Sequence, residues 1–266
     1  FKRVSLKIKF LIQVMTNIPC RYVYGNIAGF SNNFFSNIKI KKIRRQIAET
    51  YEGSNHNFEC QNSKDLNSNG FVKIKFKKNI DKLLKVQEKF RSLINDPNIS
   101  IGGSNGATRH IINPVIHIPD IQGLLNDQIV SIIKNYYKTD IMVHTIRAWR
   151  NNHVSGVDEN KEDVFSNTFH NDNYDSWGLR VFILLSDNVS RKSGAFRFFD
   201  KKTTKEIVRK FGFLHRNFVL SDVQKILNSK QRLKYFEGTL GDTCICNTQL
   251  CLHGAGMPEM GRNRDI

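Results

Sequence analysis

Cysteine is scarce in this chain of 266 residues, which contains five, an odd number. A chain of this length can bury enough apolar surface to fold without the disulfides that small secreted domains need. The sequence therefore predicts reduced thiols in a cytoplasmic protein. Long apolar runs are lacking as well, because lysines interrupt the N-terminal stretch 4–12 and no segment approaches the roughly 20 apolar residues of a membrane span. We expect no transmembrane helix, no signal peptide and no membrane partner.

Acidic residues are also few: 24 Asp and Glu stand against 41 Lys and Arg, a formal charge of +17. Residues 1–100 hold 19 of the basic and 7 of the acidic residues. Such a surface can attract polyanions, so a basic polyanion-binding protein is one alternative function. The basic residues are scattered and form no recognised nucleic-acid motif, which favours simple solvation. We therefore expect no nucleic-acid partner.

Hydrophobic periodicity divides the chain into two parts. Residues 1–118 are predicted to be a basic N-terminal extension of helices and loops that packs on the rest, including a basic helix over 38–51 and another from Ile80 to Ile94. Residues 119–266 are predicted to form the core, as part of one continuous domain. They begin with a helix over 119–136, and strands then dominate. Four are predicted, at 141–149, 179–185, 195–199 and 243–246, with an insertion between Asp200 and Gly241 that carries one helix near 222–231.

The residues with metal-binding chemistry lie in the second half. In Phe169-His170-Asn171-Asp172, His170 and Asp172 are two positions apart, so in an extended segment their side chains point to the same side. A second histidine, His253, follows far downstream in Leu252-His253-Gly254. Two imidazoles and one carboxylate are the set that non-haem Fe(II) oxygenases place on one face of the metal. The sequence thus predicts an iron site formed by His170, Asp172 and His253.

The order of these motifs resembles that of the phytanoyl-CoA dioxygenase-like family of Fe(II)- and 2-oxoglutarate-dependent oxygenases. The matching segments are 169–172, 181–188 with Ser193-Gly194-Ala195, and Gly241-Asp242 through His253-Gly254 to Arg264. The resemblance covers about residues 140–266. It implies a mainly β chain with flanking helices (α+β), built on a cupin-like double-stranded β-helix, or jelly roll. We expect the last strand, at Arg264, to be truncated.

The resemblance also implies roles. His170, Asp172 and His253 would bind Fe(II), and Arg264 would bind the distal carboxylate of 2-oxoglutarate, as a guanidinium can with two parallel hydrogen bonds. Arg262 is a close competitor for that role. Arg147, Trp149 and Asn151 share one face of the preceding strand and would line the cosubstrate pocket.

The activity so implied is hydroxylation of an unactivated C–H bond in a small organic substrate, with dioxygen consumed and succinate and CO2 released. This sequence departs from the family at Ala255, where a hydroxyl residue is usual, and at 196–202, so the identity of the substrate is not carried over. A cupin-like metal enzyme that uses no 2-oxoglutarate remains an alternative. A zinc site of Cys244, Cys246, Cys251 and His253 is a weaker one, because the spacing lacks the paired knuckles of structural zinc sites.

Overall fold

The computed structural model describes residues 61–75, 80–103, 106–158, 163–164, 166–172, 178–211, 217–227 and 233–266. The predicted basic helix over 38–51 lies outside these residues. The helices are α1 (Gln61–Asn69), α2 (Ile80–Leu93), α3 (Pro114–His117), a 3-10 helix (Pro119–Leu124), α4 (Asp127–Tyr137), α5 (Lys201–Phe211) and α6 (Leu220–Ile226). The strands are β1 (Phe71–Ile74), β2 (Ser100–Gly102), β3 (Thr108–Ile111), β4 (Trp149–Asn152), β5 (Arg180–Ile183), β6 (Asn188–Val189), β7 (Phe196–Phe198), β8 (Lys234–Phe236), β9 (Gly238–Thr239), β10 (Thr243–Cys246), β11 (His253–Gly254) and β12 (Asn263–Asp265).

The strands form four small antiparallel sheets with the orders β1-β10-β5, β11-β7-β8, β12-β4-β3-β2 and β6-β9. Helices and antiparallel sheets are thus mixed, as the predicted α+β class requires. Two of the sheets combine early and late parts of the chain, since β1 pairs with β10 and β3 pairs with β4. None of the helices in the described part of the chain has both the length and the apolar composition needed to cross a membrane.

The helices pack on the sheets through apolar faces. Helix α2 buries Leu83, Val86 and Phe90 against the 3-10 helix, where Ile121 and Leu124 point inward. These side chains recur at the three- and four-residue spacing of one helical face, which is why the segment forms a helix here. Each such side chain contributes about 1.5–3 kcal/mol when it is fully buried. The prediction of a helix starting at Ile80 is confirmed.

The helix predicted over 119–136 is instead two helices. A 3-10 helix ends at Leu124, and α4 begins after Asn126, whose side-chain oxygen accepts a hydrogen bond from the backbone N–H of Ile129 at 3.1 Å. Asparagine is a favoured N-cap because it satisfies a backbone donor that has no partner within the helix. The apolar residues before and after the break still face the core. The apolar pattern in the sequence is therefore continuous, although the helix is interrupted.

The prediction of a strand over 141–149 is wrong except at its last residue. Residues 141–148 have no regular structure, and β4 begins at Trp149. Met142 is 85% exposed and Val143 is 50% exposed. The apolar residues of this segment therefore do not share one buried face, which the strand prediction required.

The insertion between Asp200 and Gly241 holds two described helices where one was predicted. Helix α5 was not foreseen, and α6 begins at Leu220, earlier than predicted. Ile207 of α5 and Val223 of α6 pack against Phe169 and Phe218. Phe169 and Phe218 also exchange backbone hydrogen bonds of 2.8 Å. The insertion thus packs directly behind the segment that carries His170.

Gly194, in the Ser-Gly-Ala turn before β7, has a positive φ of 74°. A Cβ at this position would lie 2.5 Å from the carbonyl oxygen of Gly256 and 2.7 Å from Pro258 Cδ. Only glycine fits so close an approach at this φ. The turn therefore packs directly against the segment that follows His253.

Asp265 fixes the position of β12 through a mostly buried ion pair. Its carboxylate accepts hydrogen bonds from Arg150 Nε at 2.6 Å and Arg150 Nη2 at 2.9 Å, and its backbone N–H donates to Ser186 Oγ at 2.8 Å. We expect Asp265→Asn to lower the free energy of unfolding by about 3 kcal/mol, because it leaves the Arg150 charge buried without its partner. The matched change Asp187→Asn, in an exposed pair with Arg91, should cost less than about 1 kcal/mol. Urea unfolding of both variants would measure this, and equal losses would contradict it.

Candidate metal centre and cosubstrate cavity

Two strand-like segments bring His170 and His253 together. The backbone N–H of His170 donates to the carbonyl of His253, and the reverse bond is also made, both at 2.9 Å. The N–H of Asp172 donates to the carbonyl of Thr248 at 3.1 Å. The predicted grouping of these ligands therefore follows from one short antiparallel pairing. His170 and Asp172 point the same way because they are two residues apart.

The three side chains converge on one point. Asp172 Oδ1 lies 3.9 Å from His170 Nε2 and 3.8 Å from His253 Nε2. Among the described residues, this is the one group of three or more metal-binding side chains with every donor atom within 4.8 Å of the others. Bonds of about 2.0–2.2 Å to one ion keep its donors within about 4.4 Å of each other. The two measured separations are within that limit.

Hydrogen bonds orient both imidazoles. His170 Nδ1 lies 2.9 Å from the carbonyl oxygen of Thr168, and His253 Nδ1 lies 3.1 Å from that of Cys251. A carbonyl oxygen can only accept, so each Nδ1 must carry the hydrogen. In a neutral imidazole with this tautomer, Nε2 carries the lone pair, and both Nε2 atoms lie toward Asp172 Oδ1, the arrangement usual for metal-binding histidines.

Burial keeps His253 neutral. Burial, followed by the neighbouring His170 imidazole, lowers the pKa of His253 to about 4, and the opposing effect of Asp172 is smaller. An imidazole binds a metal only in its unprotonated form. At neutral pH, His253 is therefore already in the form that a metal requires.

The second oxygen of Asp172 has partners of its own. Its Oδ2 accepts hydrogen bonds from Thr248 Oγ1 at 2.7 Å and from Arg180 Nε at 3.2 Å. Burial by itself would raise the pKa of this carboxyl, but the His253 imidazole and these two donors outweigh it, so the pKa lies below its usual range. Sequence reasoning missed both donors. The one signal for Arg180 was a basic residue in an otherwise apolar strand.

Arg264 is buried, 2% exposed, and donates from Nη1 to the carbonyl of Gly194. No carboxylate among the described residues pairs with it, and its Nε is buried without a hydrogen-bond partner there. Burial, together with the positive charge of Arg197, lowers the pKa of Arg264 to about 9. A buried guanidinium without a counter-ion is costly, and an anionic ligand would relieve that cost. Arg262, its competitor in the sequence, is exposed.

A cavity of about 840 Å³ connects the three metal-binding side chains with Arg264. Arg147, Trp149 and Asn151 all line it. Asn151 pairs with Arg264 in the β12-β4 register, and its Oδ1 is a second buried polar atom that lacks a partner among the described residues. Each such atom costs about 1–3 kcal/mol unless a ligand satisfies it. Two of them on neighbouring strands therefore favour a polar ligand at this wall.

The cavity is otherwise mostly apolar. Ala255 lines the wall beside His253 and offers no hydroxyl there. His110 stacks on Trp149 with ring centroids 6.2 Å apart. Burial, followed by the positive charge of Arg147, lowers the pKa of His110. This part of the wall thus places an aromatic pair beside an exposed cation.

The three cysteines of the described segments do not join the candidate metal-binding group. Cys244, Cys246 and Cys251 are buried free thiols in the core between the sheets. Burial raises the pKa of Cys244 to about 12, whereas zinc binds the thiolate. Within the described residues, His253 instead groups with His170 and Asp172, which counts against the zinc alternative.

No family model and no curated protein sequence matches the chain. Solved structures do match its fold. EctD from S. alaskensis with bound Fe superposes with a TM-score of 0.56 and 11% identity, over 80% of this chain and 76% of that chain. EctD has also been crystallised with 2-oxoglutarate and 5-hydroxyectoine. The non-heme alpha-ketoglutarate-dependent epimerase SnoN from nogalamycin biosynthesis superposes with a TM-score of 0.52 and 10% identity, over 77% and 79%. At such identities the likeness shows a shared fold, and activity must be argued from the site.

Proposed function

We propose that this protein is an Fe(II)- and 2-oxoglutarate-dependent dioxygenase of the phytanoyl-CoA dioxygenase-like type. In this proposal it hydroxylates an unactivated C–H bond of a small organic substrate and releases succinate and CO2. One observation carries the proposal: the cluster of His170, Asp172 and His253 shares a cavity with Arg264, a buried cation without a carboxylate partner among the described residues.

The donor set fits iron. Two imidazoles and one carboxylate suit Fe(II) better than soft-ligand metals, and three protein donors would leave positions for other ligands. His170, Asp172 and His253 would hold the ion. When bound, iron would activate dioxygen, which is the oxidant, and 2-oxoglutarate would supply two of the electrons that reduce it as it is converted to succinate and CO2. The protein's own part is to orient the donors through the Thr168 and Cys251 carbonyls.

The wall opposite the ligands fits 2-oxoglutarate. Arg264 would bind its distal carboxylate, since a guanidinium presents parallel donors with the spacing of carboxylate oxygens. Asn151 would donate from its amide nitrogen to an oxygen of 2-oxoglutarate, and Trp149 would form the adjoining surface. Arg147, at the exposed edge, would meet substrate. A cupin-like enzyme that needs no oxoacid gives no reason for a buried Arg264 that has no carboxylate partner among the described residues, so we prefer the 2-oxoglutarate mechanism.

The proposal includes a jelly-roll fold, a single continuous domain and a cytoplasmic location. The β1-β10-β5 and β11-β7-β8 sheets would be parts of a jelly roll, in line with the fold shared with EctD and SnoN. Pairing of β1 with β10 supports one continuous domain rather than a separate extension. A cytoplasmic location is supported by the free thiols of Cys244, Cys246 and Cys251, because oxidising compartments favour disulfides.

The test is spectroscopic and needs no substrate. We expect Fe(II), followed by 2-oxoglutarate under anaerobic conditions, to give the weak visible charge-transfer band of a chelated 2-oxoacid. Succinate, which lacks the keto oxygen and so cannot chelate in this way, is the matched control and should give no band. Iron binding without a band would favour the cupin-like alternative. No iron binding, together with steeply salt-dependent binding of polyanions, would favour the polyanion-binding alternative.

A further inference from the structure

The two oxygens of the Asp172 carboxylate have different surroundings. Oδ1 lies 3.8–3.9 Å from the Nε2 atoms of the two histidines. Oδ2 accepts hydrogen bonds from Thr248 Oγ1 at 2.7 Å and Arg180 Nε at 3.2 Å. One oxygen is therefore directed to the candidate metal position while the other is occupied by two donors, one of them charged.

Both donors are held in place by the backbone. Thr248 is buried, and its carbonyl accepts the N–H of Asp172, so this residue binds Asp172 through main chain and side chain. Arg180 opens β5 and pairs in register with Cys246 of β10. Thr248 follows β10 by two residues. Arg180 thus lies in one strand of the sheet, and Thr248 lies in the turn that follows the neighbouring strand.

The way in which Asp172 binds would decide how many coordination positions of the metal stay open. An octahedral ion has six positions. Three protein atoms and a chelating 2-oxoacid take five of them, which leaves one for dioxygen. A carboxylate can bind a metal through one oxygen or through both. If Asp172 bound through both, the sixth position would be taken.

We infer that Thr248 and Arg180 are positioning residues that hold Asp172 as a one-oxygen ligand and thereby keep the sixth position open. This inference rests on the proposed function. It assigns a task to two residues that lie outside the metal-binding group, one of which, Thr248, does not line the cavity. Charge-assisted hydrogen bonds such as that from Arg180 are the stronger kind, which suits this task.

The experiment uses nitric oxide as a probe of the open position. Nitric oxide binds a vacant site on Fe(II), and electron paramagnetic resonance detects the product. We would titrate the anaerobic Fe(II)·2-oxoglutarate complex of the full chain with nitric oxide in wild type, T248V and R180Q. T248V removes the hydroxyl at nearly constant volume. T248S keeps the hydroxyl, and R180K keeps a charged donor, whereas R180Q has only a shorter, uncharged amide. T243V removes a buried hydroxyl that donates to the Gly241 carbonyl instead.

We expect nitric oxide affinity to fall about tenfold or more in T248V and R180Q, the size of a lost hydrogen bond to a charged group. Fe(II) affinity should stay the same or rise, rather than fall by the roughly 10–100-fold that is usual when a metal ligand loses an outer partner, because a second carboxylate oxygen would replace the lost contact. General damage to the site would lower both affinities. T248S and T243V should stay within about threefold of wild type, and R180K should be intermediate. If T248V does not fold, R180Q against R180K makes the same comparison.

Two results would overturn the inference: unchanged nitric oxide affinity in both T248V and R180Q, or a parallel loss of Fe(II) and nitric oxide affinity. Failure of the proposed function would look different. In that case the wild-type protein itself would give no charge-transfer band with Fe(II) and 2-oxoglutarate, before any variant is compared.

Discussion

Replacing Arg264 with lysine is expected to weaken 2-oxoglutarate binding about 100-fold while Fe(II) binding persists. Arg264 is the buried guanidinium on the cavity wall, and among the described residues no carboxylate neutralises it. Lysine keeps the charge but offers a compact ammonium instead of two parallel donors. Truncating one side of a buried charged pair typically costs 2–5 kcal/mol, and about 2.7 kcal/mol corresponds to 100-fold.

The measurement is a 2-oxoglutarate titration of the anaerobic Fe(II) protein, followed by the charge-transfer band. Arg262→Lys is the matched control, because Arg262 lies two residues earlier and is exposed. The affinity of this variant for 2-oxoglutarate should equal that of wild type. If Arg262→Lys lost affinity for 2-oxoglutarate and Arg264→Lys kept it, Arg262 would be the residue that binds the distal carboxylate. Loss of iron binding in Arg264→Lys would mean that the change had damaged the metal centre.

Replacing Asp172 with asparagine is expected to reduce Fe(II) affinity by at least about 100-fold. Mutation of a residue that hydrogen-bonds to a metal ligand typically lowers metal affinity about 10–100-fold. Loss of the one ligand that gives the group its negative charge should lower the affinity more. Asparagine preserves the shape but removes that charge. Asp140→Asn is the control, because Asp140 lines the same cavity but pairs with Lys134 at 2.7 Å.

Metal titration by calorimetry would measure both variants. His253→Ala should lose affinity to a similar extent, with His144→Ala, at an exposed position on the same cavity, as its control. Equal affinities in Asp172→Asn and wild type would show that the three side chains do not hold the ion, and would remove the basis for an oxygenase.

The convergence of His170, Asp172 and His253 could be predicted because the pattern that carries it is largely local. His170 and Asp172 are two residues apart, and a single distant histidine completes the set. Arg264 could be proposed from its order after His253. What could not be predicted was the set of partners of Asp172 Oδ2, since Thr248 and Arg180 reach it only through the tertiary fold. Such contacts leave no periodic pattern in the sequence.

The fold was predicted less evenly, for two physical reasons. Helix α5 is highly charged, and the low overall hydrophobicity of the segment concealed its short apolar stripe of Ile207, Val208 and Phe211. The segment 141–148 has the apolar composition of a strand, but strands need partners, and pairing begins only at Trp149. The break before α4 had a readable signal, Asn126-Asp127, within an otherwise continuous apolar stripe.

The reciprocal backbone bonds between His170 and His253 also bear on how the molecule folds. They join positions more than 80 residues apart in the chain, a long-range contact that is slow to form because a large loop must close first. An ion bound by both imidazoles would act as a clamp across that loop and stabilise the native state by mass action. Protection of these two amides from hydrogen exchange would then rise with metal concentration, because a bound ion would oppose the opening of that loop.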